Sequence, residues 1–129
     1  MTAELLRRDL AERGAAELRV DGGCMAPTLR EGDRVVVFRD GAPRRGDVVL
    51  LSASGWLEIH RVVDRIEMGP EVWYLHQGDA SELCGVAGRA DVLGRVELPR
   101  RGRPAARSHL RGLVLRLGAL LRRLTCASR

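Results

Sequence analysis

Between Glu17 and Leu98 the sequence breaks into short β-branched runs divided by turn-forming residues, and this punctuation leaves few folds open. The runs are L-R-V, R-V-V-V-F, D-V-V-L-L, W-L-E-I-H-R-V-V-D-R-I, V-W-Y-L-H and V-L-G-R-V-E-L. Clusters rich in Gly, Pro and Asp separate them at Arg39 to Asp47, Ser52 to Gly55, Gly69-Pro70 and Gly78 to Gly88. Val, Ile and aromatic side chains suit a pleated, half-buried surface, and intervals this short demand tight reversals. The expectation is an antiparallel β domain of about six strands. Within Trp56 to Arg65 the residues partly alternate, with Leu57, Ile59 and Arg61 on one side and Glu58, His60 and Val62 on the other. His60 is therefore expected on a strand face.

Both ends carry a different period. From Thr2 to Arg13, Leu5, Leu6 and Leu10 recur at helical spacing, with Thr2 placed to cap the start and Gly14 to stop the end. After Pro99 comes R-R-G-R-P-A-A-R, a linker by composition, and then Ser108 to Leu124. There Leu110, Leu113, Val114, Leu117, Leu120, Leu121 and Leu124 share one helical face, largely opposite Arg111, Arg116, Arg122 and Arg123. This predicts a β domain with its N-terminal helix over residues 1–99 and a basic linker plus amphipathic helix over 100–129.

Charge is divided the same way. Arg100 to Arg129 holds nine arginines and no acid, whereas Met1 to Pro99 holds 13 arginines against 17 acids, so the net +5 conceals a body of −4 and a tail of +9. The tail helix has three readings: packing on the β domain, docking on an anionic membrane surface, or contact with nucleic acid. Four aromatic residues and no helix-turn-helix pattern make specific nucleic-acid binding the least favoured. Charges throughout the first 14 residues leave no secretory signal and no membrane span. Three cysteines without a C-x-x-C pair argue against a disulfide framework and a zinc ribbon, and point to a reducing compartment. The expected location is the cytoplasm or the inner face of the cytoplasmic membrane.

One stretch carries chemistry. In V-D-G-G-C-M-A-P-T-L-R-E-G-D-R-V-V-V (Val20 to Val37) a turn presents Cys24 just ahead of a strand. The segment G-G-C-M-A-P-T-L-R-E-G-D-R-V-V-V resembles the nucleophile box of the type I signal peptidase superfamily, whose usual form has serine where Cys24 stands. Four further segments resemble that family's boxes in the correct order: R-R-G-D-V-V-L (Arg44 to Leu50), I-H-R-V-V (Ile59 to Val63), H-Q-G-D-A (His76 to Ala80) and D-V-L-G-R-V (Asp91 to Val96). Together they span Asp21 to Val96.

The resemblance implies a compact antiparallel, β-barrel-like peptidase domain and a nucleophile paired with a base. The family uses either lysine or, in its endoplasmic-reticulum-like form, histidine at H-R-V. This chain contains no lysine, so His60 is the base that the resemblance implies. A thiol is a competent nucleophile, activated when an imidazolium lies beside it. The expected chemistry is attack by Cys24 on a peptide carbonyl, giving a thioester, with backbone N–H groups of Cys24 and Gly23 receiving the oxyanion. Met25 and Pro27 shape the floor beside the nucleophile. Asp79 matches the acid of the family's G-D and either orients His60 or braces its loop; a second acid usual about six residues later is replaced by Gly85. Cys84, next to that position, is a candidate for a reversible disulfide with Cys24. His76 and His109 receive no role, and neither a metal nor another cofactor is expected.

The implied function is an endopeptidase cutting an extended peptide or leader segment of a preprotein. The rivals are a LexA-like self-cleaving protein, which would need a lysine base and an internal cleavage segment, and an inactive pseudopeptidase that binds peptides or anionic surfaces.

Overall fold

A computed structural model describes residues 2–40, 42–53, 55–99 and 123–125. The chain opens with helix α1 (Ala3–Arg13), as its spacing predicts: the Thr2 hydroxyl accepts the Leu5 N–H, and the Gly14 N–H closes the far end on the Leu10 carbonyl. Leu6 and Leu10, one turn apart, are the buried pair, while Leu5 stays half exposed. Arg7 adds a bond from Nη1 to the Ala90 carbonyl at 2.5 Å.

The strands are β1 (Ala15–Asp21), β2 (Arg34–Phe38), β3 (Val48–Ala53), β4 (Trp56–Met68), β5 (Glu71–Gln77), β6 (Cys84–Gly88), β7 (Val92–Glu97) and β8 (Arg123–Thr125). They form one sheet in the order β6-β5-β4-β3-β7-β2-β1-β8. The protein is mainly β, and all six predicted runs are strands. Two strands were not foreseen. β6 falls inside the stretch expected to be a turn, because C-G-V-A-G offers little side-chain signal. β8 runs parallel to β1, pairing Val20 with Leu124 and Asp21 with Thr125; every other pairing is antiparallel. The amphipathic helix predicted over 108–124 lies outside the described residues except for its last two, Arg123 and Leu124, which belong to β8.

Strand alternation divides the interior in two. Val48 and Leu50 of β3 face a larger cluster with Leu6, Leu10, Leu18, Val37 and Ile59. Val49 and Leu51 face a smaller one with Val62, Tyr74 and Ala87. Both faces of β3 are thus buried, which explains why D-V-V-L-L reads as a continuous apolar run instead of alternating.

Two turns of one design feed these strands. In Arg30 to Asp33 and again in Arg44 to Asp47, the Asp Oδ2 accepts the first residue's N–H at 2.8 Å and its own N–H returns to the first carbonyl at 3.0 Å. Gly32 and Gly46 take φ of 87° and 92°, a region that side chains with a Cβ disfavour. These are the turn roles expected of the two Gly-Asp pairs.

Candidate active site

Residues 22–32 leave the sheet between β1 and β2 and are closed at the neck: Val20 N–H bonds the Asp33 carbonyl and Gly32 N–H the Val20 carbonyl, each at 2.8 Å. Inside this excursion Met25 and Leu29 are 1% and 0% exposed and plug into the larger core. Leu29 N–H bonds the Met25 carbonyl at 2.9 Å and Ala26 N–H the Gly23 carbonyl at 3.1 Å. Burying two such side chains contributes about 1.5–3 kcal/mol each, so Cys24 rides on a turn fastened to the core. Met25 thus sits in the core beneath the Cys24 turn, and its sulfur lies 3.5 Å from the Asp79 nitrogen.

The turn that follows β5 grips Cys24 from the other side. Ala80 N–H bonds the Cys24 carbonyl at 2.8 Å. A Cβ at Gly78 would stand 2.6 Å from that carbonyl oxygen and 3.2 Å from the Cys24 Cβ, so only glycine permits the approach. Cys24 Sγ lies 3.6 Å from the carbonyl of Ile59, the residue before His60. Space is open beside Gly23, which is exposed with nothing within 4 Å of where a Cβ would be.

Cys24 is disulfide-bonded in this structure, while Cys84 is a free, exposed thiol. The candidate Cys24 to Cys84 pair is not formed here, and Cys84 Sγ meets Gln77 Oε1 at 3.2 Å. Cys126, the third cysteine, lies outside the described residues. A sulfur in a disulfide has no hydrogen, so the approach to Ile59 is a contact here and becomes a hydrogen bond only after reduction.

His60 holds the predicted strand face and has company that the sequence did not announce. Its Nδ1 lies 2.8 Å from Nδ1 of His76 on β5 and 3.8 Å from Oε2 of Glu58. The rings are tilted by 31° with centroids 5.1 Å apart. Glu58 and His76 are each 5% exposed. Val62 pairs with His76 and His76 with Gly85, so all three polar residues share the face occupied by Val62. A Cβ at Gly85 would come within 2.6 Å of His76 Nε2. The position where the resemblance expects an acid is thus glycine, and the His76 ring uses the space. The available signals were the i, i+2 spacing of Glu58 and His60 and the glycine at 85; neither names a partner without the β4–β5 register.

Asp79 points to a different task. Its Oδ1 and Oδ2 accept from Arg61 Nε and Nη2, both at 2.8 Å, and Oδ2 also accepts from the Thr28 hydroxyl at 2.5 Å. Arg61 Nη1 continues to the Gly46 carbonyl at 2.8 Å. The Arg61 bonds hold the Asp79 carboxyl below the ordinary carboxylate range, with burial opposing and the Thr28 bond assisting; His60 contributes least. Of the two roles weighed for Asp79, this geometry is that of a brace joining the Cys24 turn, β4 and the turn before β3.

No known protein-family model matches the chain, and no curated protein matches it. No helix among the described residues is long and apolar enough to cross a membrane.

Proposed function

We propose that the chain is a signal-peptidase-like endopeptidase in which reduced Cys24 is the nucleophile and His60 the base. The observation that carries this reading is the fastening of Cys24 between two turns with its sulfur at the carbonyl preceding His60. Two imidazole Nδ1 atoms at 2.8 Å share one proton. When His60 is the donor, its Nε2 is left as an acceptor for the thiol proton. The nearby Glu58 carboxylate stabilises the positive charge that then develops on the ring.

In the proposed cycle the Cys24 S–H proton passes to His60 Nε2 as sulfur adds to the peptide carbonyl. Backbone N–H groups at Gly23 and Cys24 receive the oxyanion. Collapse breaks the C–N bond, and the amine leaves with the proton from His60. Water, deprotonated by the same ring, then hydrolyses the thioester and restores the thiol. Asp79 keeps the loop in place without entering the steps. The substrate class is an extended peptide or preprotein segment, and the arginine-rich tail supplies attraction to anionic membrane.

The test is to incubate the chain under reductant with a peptide library and identify products by mass. Cleavage should need reductant, vanish in Cys24→Ala and fall steeply in His60→Ala; parental rates in both variants would show the dyad to be wrong. The disulfide on Cys24 favours a second reading, an inactive peptide-binding module, in which library peptides are retained uncut even under reductant.

A further inference from the structure

We infer that Glu58, His60 and His76 form a binding site for a zinc-class divalent metal ion. Each residue offers one ligand atom, and the three atoms lie within 4.8 Å of one another. They come from neighbouring positions on two paired strands, so the backbone ladder already fixes their spacing. Two histidines and a carboxylate are a ligand set that zinc uses with a fourth position open. Tetrahedral zinc with bonds of about 2.0–2.1 Å sets donors about 3.3 Å apart, so the two pairs that involve His60 need small adjustments and the Glu58–His76 pair, within 4.8 Å, closes by side-chain rotation. The present 2.8 Å between Nδ1 atoms and 3.8 Å from His60 Nδ1 to Glu58 Oε2 bracket that value.

Burial supports the same conclusion. Glu58 and His76 are almost wholly enclosed, and the glycine at 85 leaves the His76 ring room against the strand while its Nδ1 faces His60.

The consequence for turnover rests on the peptidase reading above, whereas binding itself does not. A metal on His60 Nδ1 occupies that lone pair and leaves the ring proton on Nε2. That nitrogen then only donates and cannot take the Cys24 proton. Metal at this site therefore switches off the base without touching the sulfur, and zinc is inhibitory.

The test uses the full chain carrying Cys84→Ser and His109→Gln, which removes the free thiol and the third histidine as competing ligands. Cobalt(II) is titrated and followed by its visible absorption, with zinc as competitor. One equivalent should bind, zinc should displace it, and Glu58→Gln and His76→Ala should each weaken binding by at least about tenfold. Circular dichroism confirms that each variant is folded. Absence of cobalt binding at millimolar metal, or affinity unchanged in both folded variants, overturns the site. Binding with no effect of zinc on peptide cleavage overturns the inhibitory consequence alone, and binding in a chain that cleaves no peptide leaves the site standing while the peptidase reading falls.

Discussion

The two faces of β4 do different work. On one, Leu57 and Ile59 enter the larger core and Arg61 reaches Asp79 and the Gly46 carbonyl. On the other, Glu58 and His60 meet His76 beside the small cluster around Val62 and Tyr74. Neighbouring residues of one strand thus separate the Arg61–Asp79 brace, on the side where Cys24 packs, from the Glu58–His60–His76 cluster, because side chains alternate across a sheet. H-R in I-H-R-V-V looks like one motif but addresses two sides of the molecule. H-Q-G-D-A divides likewise: His76 joins the Glu58–His60 cluster and Asp79 the brace.

The largest test of that division sets His60→Ala against Arg61→Ala. The first should reduce peptide turnover by at least about 10³-fold with nearly unchanged melting temperature. The second should lower stability by about 1–2 kcal/mol in denaturant titration, since it releases charge-assisted bonds that are partly screened by solvent, and cost turnover far less.

Glycine substitutions sharpen the contrast. Gly85→Ala pushes on the His76 ring, so turnover should fall by roughly 10²-fold as His60 loses its alignment. Gly78→Ala meets the Cys24 backbone, which cannot retreat as a side chain can, and should cost about 1–3 kcal/mol of stability.

Acid should act through the brace. Asp79 has its folded-state pKa depressed by Arg61, so its contribution to stability is fully present above the unfolded carboxylate value of about 3.9 and is lost as pH falls through the lower folded value. Asp79→Asn should remove about 1 kcal/mol at neutral pH and flatten the acid limb of a stability-versus-pH curve.

The smallest effect is expected at Tyr74, whose buried hydroxyl has no hydrogen-bond partner among the described residues. Tyr74→Phe should be neutral or stabilising by up to about 1 kcal/mol, read as a shift in denaturation midpoint.

Much of the architecture was legible because it rests on local rules. Thr2 and Gly14 bound α1, the two Gly-Asp turns behave as their chemistry dictates, and period-two alternation put His60 on its strand face. What escaped depends on pairing between strands distant in sequence. β6 lacks β-branched density, and the meeting of His60 with His76 follows only from the register of β4 on β5. The disulfide on Cys24 likewise depends on which cysteines approach in space, which their number in the sequence does not state.

The most direct measurement is the alkylation rate of Cys24 after reduction, with Cys84 as an internal reference on the same chain. Mass spectrometry of iodoacetamide labelling near neutral pH should show Cys24 reacting faster than Cys84, and His60→Ala should slow Cys24 while leaving Cys84 unchanged. Equal rates at both thiols, unaltered by His60→Ala, would contradict a Cys24 nucleophile activated by His60.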